Sequence, residues 1–255
     1  MPYPQDNLRV VVSGAKGRMG REVVKAVTEA DGMEVAGEVD LGDDLAGVLE
    51  TAKPDALVDF TVPAAALGNI RVALAAKVVP IVGTTGLEPP DLAEIRKLCR
   101  ELGTGALIAP NFALGAVLMM QFAQTAARYF PDVEIIEMHH EKKIDSPSGT
   151  ADLTAQMIAS ARKDSPSPAP AGAFEKFPGA RGGLSAQSIR VHSVRLPGFV
   201  ASQEVIFGGP GQRLTIRHDS IERGASFMPG VVHALRRVPD FASSGELIVG
   251  LENLL

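Results

Sequence analysis

The first 110 residues alternate short apolar runs with helical periodicity, and that alternation limits the chain to very few architectures. Leu8–Ser13 is an apolar run suited to a buried parallel strand. It leads into Gly14, Ala15, Lys16, Gly17, Arg18, Met19 and Gly20, then a helix in which Met19, Val23, Val24 and Val27 recur at helical spacing. Residues 34–39 form a second strand that ends at Asp40. Residues 56–60 form a third, followed by Thr61-Val62-Pro63 and a helix through Ala76. A fourth strand over 78–82 ends at Gly83-Thr84-Thr85-Gly86. A helix over about 90–102 buries Leu92, Ile95, Leu98 and Cys99, and residues 106–109 make a fifth strand. Strict alternation of this kind predicts an α/β fold with a Rossmann-like, doubly wound parallel sheet.

Sheets of this type bind ligands beyond the carboxyl ends of their strands. Here those ends carry Gly14 to Met19, Asp40, Thr61-Val62-Pro63, Gly83-Thr84-Thr85 and Ala109-Pro110-Asn111-Phe112. Glycines at 14, 17 and 20 give a tight turn, close backbone approach to a pyrophosphate, and close helix-to-strand packing. Asp40 lies at the end of the second strand, where an acidic side chain accepts from a ribose hydroxyl. Glycines that merely turn a strand into a helix are the plainer reading. The strand before, the helix after and Asp40 together favour a dinucleotide. Leu41 stands where an arginine would select a 2′-phosphate, while Lys16 and Arg18 offer a phosphate positive charge, so NADH and NADPH both stay open.

Charge and cysteine usage narrow the class. A net charge of −5 argues against nonspecific nucleic-acid binding. The single cysteine, Cys99, allows no internal disulfide and suits a reducing cytosol. The opening MPYPQDNLRVVV lacks the apolar run of a signal peptide, and no segment approaches the roughly 20 apolar residues of a membrane span. The expectation is a soluble cytoplasmic protein with no membrane partner.

The second half reads as a different layer. Residues 114–130 form a long, weakly charged helix, residues 133–138 a strand, and residues 150–162 a helix with Leu153, Met157, Ile158 and Ala161 on one side. Residues 164–172 and 177–183 read as loops because of their prolines and glycines. Strands over 188–195, 202–207 and 212–217 follow with short turns and should be antiparallel. A helix over 227–238 returns to the first domain, which residues 246–254 complete. The expected division is a dinucleotide-binding domain of residues 1–110 with 219–255, and a substrate-binding and oligomerisation domain of residues 111–218. The latter is α+β with an open mixed or antiparallel sheet, whose uncovered face suits packing against another subunit.

Residues 134–151, EIIEMHHEKKIDSPSGTA, carry the chemistry. His139, His140, Lys142 and Lys143 fall within five positions at the end of a strand, and Ser148-Gly149-Thr150 opens a helix. A helix start offers backbone N–H groups and a positive dipole end to an anion, while Ser148 and Thr150 also suit capping. Imidazoles, ammonium groups and such a helix start together describe a pocket for a small acid that must receive a proton. Metal ligation needs three or four converging ligands, and only Glu141 and Asp145 stand nearby, so no metal is expected.

This segment resembles the E-x-H-H-x-x-K-x-D-x-P-S-G-T-A signature of the 4-hydroxy-tetrahydrodipicolinate (dihydrodipicolinate) reductases. The likeness extends over nearly the whole chain, through the Gly14–Gly20 turn, Val58-Asp59-Phe60-Thr61, Val82 to Gly86, Ala109 to Phe112, Ser193-Val194-Arg195, Gly198 and His218-Asp219-Ser220. It implies catalytic proton transfer by His139 and Lys143. Substrate contacts fall to His140, Ser148, Gly149 and Thr150. Contacts to NADH or NADPH fall to Gly14, Ala15, Lys16, Gly17, Arg18, Met19, Asp40, Gly83, Thr84, Thr85, Ala109, Pro110, Asn111 and Phe112. Lys142 matches no fixed role, and Leu41 departs from members with arginine there. The resemblance further implies a homotetramer acting on a small dicarboxylate in lysine biosynthesis, with closure about hinges near residues 109–111 and 218–221. Another two-domain NAD(P)-dependent dehydrogenase of amino-acid metabolism would not require the paired histidines, lysine and Ser-Gly-Thr. A nucleotide-sensing protein without turnover would not need His139 and Lys143.

Overall fold

The structure, a computed structural model, describes residues 7–255; the first six residues of the MPYPQDNLRVVV segment, read for a signal-peptide run, lie outside the described ones. In chain order it opens β1 (Leu8–Ser13), α1 (Arg18–Glu29), β2 (Met33–Val39), α2 (Leu45–Ala52), β3 (Ala56–Asp59) and α3 (Pro63–Ala75). There follow β4 (Val79–Val82), α4 (Pro89–Leu102), β5 (Ala106–Ile108), α5 (Leu114–Ala126), β6 (Asp132–His139) and α6 (Gly149–Ala161). The chain continues with β7 (Gly183–Leu184), β8 (Arg190–Arg195), β9 (Ala201–Gly209) and β10 (Gln212–Ser220). It ends with α7 (Arg223–Arg236), α8 (Val238–Phe241), β11 (Leu247–Val249) and a 3-10 turn at Leu251–Asn253. These divide into two compact units: one runs to Ala113 and resumes at Gly224–Leu255, the other is Leu114–Arg223.

The first unit is built on a six-stranded sheet in the order β11-β5-β4-β3-β1-β2 with every pairing parallel. Val10, Val11, Val12, Leu57 and Val58 are completely buried, as strands covered on both faces must be. Burial of each large side chain contributes about 1.5–3 kcal/mol. Ser13 pairs with Val39 on one side and Asp59 on the other, and Asp59 pairs with Val82, so these strand ends lie level. The chain moves from β1 to β2 on one side and then to β3 on the other, which makes the end of β1 the topological switch point. The sequence reading gave no helix between the second and third strands; the structure has α2 there. Its two turns are started by Asp44, whose carboxylate accepts from Gly47 N, and its Leu45 and Leu49 pack with Val11, Leu57 and Ala73. The returning segment supplies a sixth strand, β11, whose Leu247 pairs with Ala106 and packs with Ile70, Ile95 and Cys99. Its helix α7 starts at Arg223, ahead of residue 227.

In the second unit a five-stranded mixed sheet runs β10-β9-β6-β8-β7. The 188–195, 202–207 and 212–217 strands do alternate in direction, but β8 and β9 are not neighbours. β6 is inserted between them, parallel to β8 and antiparallel to β9. Helix α5 packs over β9 and β10, and α6 packs over β6. Ile135, Val191, Val205 and Phe207 provide the apolar sheet face. On α6 the buried residues are Ala151, Thr154, Ala155 and Ile158; the expected Leu153, Met157 and Ala161 are only half-buried at its margins. Helix α5 stops at Ala126 rather than continuing to residue 130, and residues 127–129 form turns ahead of Pro131. The loop between α6 and β8 holds the short strand β7. It is tied to the sheet by Ser167, which donates to Asp132 through both N and Oγ at 2.6 Å, and by Arg181, 2.5 Å from Glu134.

Close packing at the switch point gives a direct test. A Cβ at Gly20 would overlap the Gly14 carbonyl and press on the Ala15 backbone, neither of which can move aside cheaply. Gly20→Ala is expected to destabilise the protein by about 1–3 kcal/mol, read as a lower urea midpoint with an unchanged slope.

Candidate functional site

In the first unit the strand ends converge on the glycine turn. Gly14 has φ 79°, and a Cβ there would meet the Phe60 carbonyl oxygen at 2.7 Å, so only glycine fits this point. Gly14 N donates to Val39 O at 2.8 Å and Gly17 N to Gly14 O at 3.0 Å, which closes the turn. Helix α1 then starts with no side-chain cap and no acidic residue in its first turn. Lys16, Gly17 and Arg18 are exposed and Met19 is half-buried, whereas Ala15 is buried. The Asp40 carboxylate accepts from the backbone N of Leu41 and of Lys16, both at 2.8 Å, and these bonds hold its pKa below the usual carboxylate range. Asp40 thus braces the turn from the end of β2. An uncapped positive helix end, a turn that tolerates only glycine and two exposed cations fit the phosphates of a dinucleotide.

A residue to which the sequence reading gave no role organises this end of the sheet. Asp59 is fully buried at the end of β3. Its Oδ1 accepts from Thr61 N (3.0 Å), Thr61 Oγ1 (2.7 Å) and Thr84 Oγ1 (2.8 Å), and its Oδ2 from Asn69 Nδ2 (2.7 Å). Asn69 also reaches Ser13 Oγ at 3.3 Å. One carboxylate therefore holds the ends of β1, β3 and β4 and the helix α3 in register. Thr84 is buried by this bond, while Thr85 is exposed beside it. Gly83 faces the Phe60 ring so closely that a side chain would overlap it. Phe60 in turn lies 5.8 Å from the buried Phe112. Ala109 is buried, Pro110 exposed, and Asn111 accepts from Ala113 N at 2.9 Å.

In the second unit His139 closes β6 and is buried. Its Nδ1 lies 2.6 Å from Oε2 of Glu137, two residues earlier on the same face of the strand. Glu137 is fully buried and receives the Arg195 guanidinium in bidentate fashion, Nη1 to Oε2 at 2.9 Å and Nη2 to Oε1 at 2.7 Å. Burial pushes the Glu137 pKa up, but hydrogen bonds from His139, Arg195 and Ser193 outweigh it and hold the group at about 2. Arg195 Nη2 also donates to Asp145 O at 2.8 Å, and the Asp145 carboxylate accepts from Lys143 Nζ at 2.7 and 2.8 Å. The Lys143 bond is the largest cause of a lowered Asp145 pKa. His139 and Lys143 are thus linked through Glu137, Arg195 and Asp145, the last accepting from Arg195 at its backbone carbonyl and from Lys143 at its carboxylate. Lys142 is exposed, and His140 is half-buried just past the strand.

The anion-binding candidates open α6. Ser148 is buried, and its Oγ caps the helix by accepting from Ala151 N at 3.2 Å. Gly149 is exposed with open space where a side chain would stand, and Thr150 is half-buried. Thr154 donates to Thr150 O at 2.7 Å and accepts from Gln203 Nε2 at 2.8 Å, and Gln203 is the β9 neighbour of Glu137. This ties the first turn of α6 to the strand that carries His139. Glu137 and Arg195 had gone without a role in the sequence reading. The signal for Glu137 was its period-two spacing from His139; the signal for Arg195 required knowing that β8 lies beside β6. Among the described residues no group of three or more His, Cys, Asp or Glu converges as a metal cage, and no helix is long and apolar enough to cross a membrane.

Family models described as "Dihydrodipicolinate reductase, N-terminus" and "Dihydrodipicolinate reductase, C-terminus" match residues 8–112 and 115–255. The chain belongs to the dihydrodipicolinate reductase family. It is 48% identical to a 4-hydroxy-tetrahydrodipicolinate reductase of Desulfitobacterium hafniense, and 49% identical to one of Moorella thermoacetica. Each match covers 97% of this chain and 98% of the relative. A dipicolinate-bound dihydrodipicolinate reductase from Paenisporosarcina sp. TG-14 superposes with a TM-score of 0.87 at 41% identity, covering 98% of this chain and all of that one.

Two stability effects follow from the buried carboxylates of this reductase-family chain. Asp59→Asn puts a donor among donors and should cost about 1–3 kcal/mol, measured by urea unfolding. For Glu137 the folded pKa, about 2, lies below the ordinary 4.5. Its stabilisation is therefore complete above pH 4.5 and is lost as the pH falls toward 2. Urea midpoints across that window should fall less steeply for Glu137→Gln than for the wild type.

Proposed function

We propose that the chain reduces dihydrodipicolinate, formed from 4-hydroxy-tetrahydrodipicolinate by loss of water, to tetrahydrodipicolinate, with His139 and Lys143 handling the protons. The near-full-length match to reductases of that name, with the His139 to Thr150 segment intact, carries this reading. The chain is an NAD(P)H-dependent oxidoreductase of the diaminopimelate route to lysine. When bound, the dinucleotide supplies a hydride from nicotinamide C4.

On this reading the first unit, through Ala113 and from Gly224, holds the dinucleotide. Gly14, Ala15, Lys16, Gly17, Arg18 and Met19 face its phosphates, Asp40 its ribose, and Gly83 to Thr85 with Ala109 to Phe112 the remainder. Leu41 is 98% exposed and offers no charge to a 2′-phosphate, while exposed Lys16 and Arg18 do, which supports use of both NADH and NADPH. The second unit holds the acid. Gly149 and Thr150 seat one carboxylate at the positive end of α6, with Ser148 capping beneath them and His140 contacting the ring. Reduction of the conjugated imine leaves an enamine that must gain a proton at carbon. An imidazole suits that transfer, and the Lys143 ammonium stabilises or protonates the developing negative charge. A six-membered ring bearing two carboxylates matches the dipicolinate named for the Paenisporosarcina relative.

The face of the second sheet opposite α5 and α6 carries half-buried Ile136, Val194 and Ile206, which supports assembly there into a homotetramer. A cytoplasmic setting accords with the lone cysteine, Cys99, whose burial pushes its thiol up to about 11.

Oxidation of NADH and of NADPH should be seen by absorbance with freshly generated dihydrodipicolinate; folded protein that oxidises neither overturns the proposed reaction. His139→Gln and Lys143→Ala should each lower turnover by about 10²-fold or more, with nucleotide affinity little changed. Light scattering should give a tetramer, and a monomer would remove the interface.

A further inference from the structure

The proton-transfer reading leaves a fully buried carboxylate and a guanidinium unexplained. Glu137 and Arg195 could have been replaced by apolar residues with no loss of sheet, since a buried ion pair adds little to stability over well-packed hydrophobic neighbours. Instead Glu137 Oε2 is shared between His139 Nδ1 at 2.6 Å and Arg195 Nη1 at 2.9 Å, while Arg195 Nη2 binds Oε1. We propose that Glu137 and Arg195 are positioning residues that act on the reaction through His139: Glu137 fixes its protonated nitrogen and favours the imidazolium, and Arg195 limits that pull. The inference rests on His139 being the proton donor.

The chemistry follows from the atoms. A carboxylate only accepts, so the bond at Nδ1 requires a proton on Nδ1 in both charge states of the ring. The exchangeable proton is therefore the one on Nε2. In the transfer the Nε2–H bond breaks, the enamine electron pair forms the new C–H bond, and the imidazolium becomes neutral imidazole with Nδ1–H retained. Solvent then restores the proton on Nε2. A lone buried carboxylate 2.6 Å from the ring would favour the imidazolium so strongly that release of the proton would be slowed. Arg195 divides the negative charge of Glu137 between two cations and so weakens that hold. Its second bond, to Asp145 O, fixes the loop that carries Lys143.

Among the described residues, His139 and Arg195 are the charged partners of Glu137. On the same face, Ser193 from β8 adds a hydroxyl to Glu137, and Gln203 from β9 is neutral. His218 on β10 lies beyond Gln203, its pKa lowered by burial. Helix α5 has no ionisable side chain, and the one on α6, Asp152, is exposed and bonded to Gln156. On the loop after β6, Lys143 is paired with Asp145, and Glu141 and Lys142 are exposed.

The test measures the His139 midpoint directly, by NMR titration of the ring nitrogens in the full chain. His139 is assigned among the five histidines as the signal lost in His139→Gln. In parallel, kcat/KM is followed against pH. Glu137→Gln should lower the His139 midpoint by about one pH unit or more and move the alkaline limb of the profile down with it. Arg195→Met should move both upward. Opposite shifts are something that loss of packing alone would not produce. Should Glu137→Gln fail to fold, the double variant Glu137→Gln/Arg195→Met leaves no buried charge unpaired and should still lower the midpoint. Midpoints unchanged from wild type, or moved in the same direction by both single variants, overturn the inference. Full turnover by His139→Gln would instead overturn the donor assignment beneath it, while the NMR midpoints still report the pairing.

Discussion

Buried carboxylates that must be satisfied set the geometry at both candidate half-sites. A carboxylate removed from water is tolerated only where donors surround it, and those donors then become fixed in place. Asp59 draws four neutral donors from two strand ends and a helix, so the loops that follow β3 and β4 have little freedom. Glu137 draws an imidazole, a guanidinium and a hydroxyl. The first arrangement fixes where backbone amides point; the second fixes how a ring is oriented.

The two carboxylates differ because their neighbours differ. Asp59 is held by hydroxyl, amide and backbone N–H groups, which suits a purely architectural task. Glu137 is held by groups that are charged or can become so, and it passes influence to a residue at the strand's end. Through Asp145 the same guanidinium reaches the lysine loop, so His139 and Lys143 are tied to one common group. These bonds give His139, at the end of β6, and Lys143, in the loop after it, a defined relation.

Much of this was legible before any coordinates. Parallel strands buried on both faces announce themselves as runs such as RVVVS and ALVD, and the glycine turn with Asp40 marks its own position. The His139 to Thr150 segment is contiguous, so spacing alone brought its members together. What the sequence hid was non-local. Helix α2 is two turns long and carries Gly47, too short for a periodic signal. The insertion of β6 between β8 and β9 cannot be read from loop lengths, and without it Arg195 has no visible link to His139. Asp59 looked like one more polar strand end, because its partners come from residues 61, 69 and 84.

The central place of β6 has one more consequence. It is flanked on both sides, by β8 in parallel register over Glu134–His139 and by β9 in antiparallel register over its whole length. Its amides belong to the part of the unit that opens last, whereas the 164–182 stretch beyond α6 is anchored mainly by side chains at Asp132 and Glu134. Under thermal fluctuation that excursion can lift away many times before the hydrogen-bonded ladder beneath His139 parts. Substitution or lengthening in that stretch is therefore expected to leave the ladder beneath His139 in place.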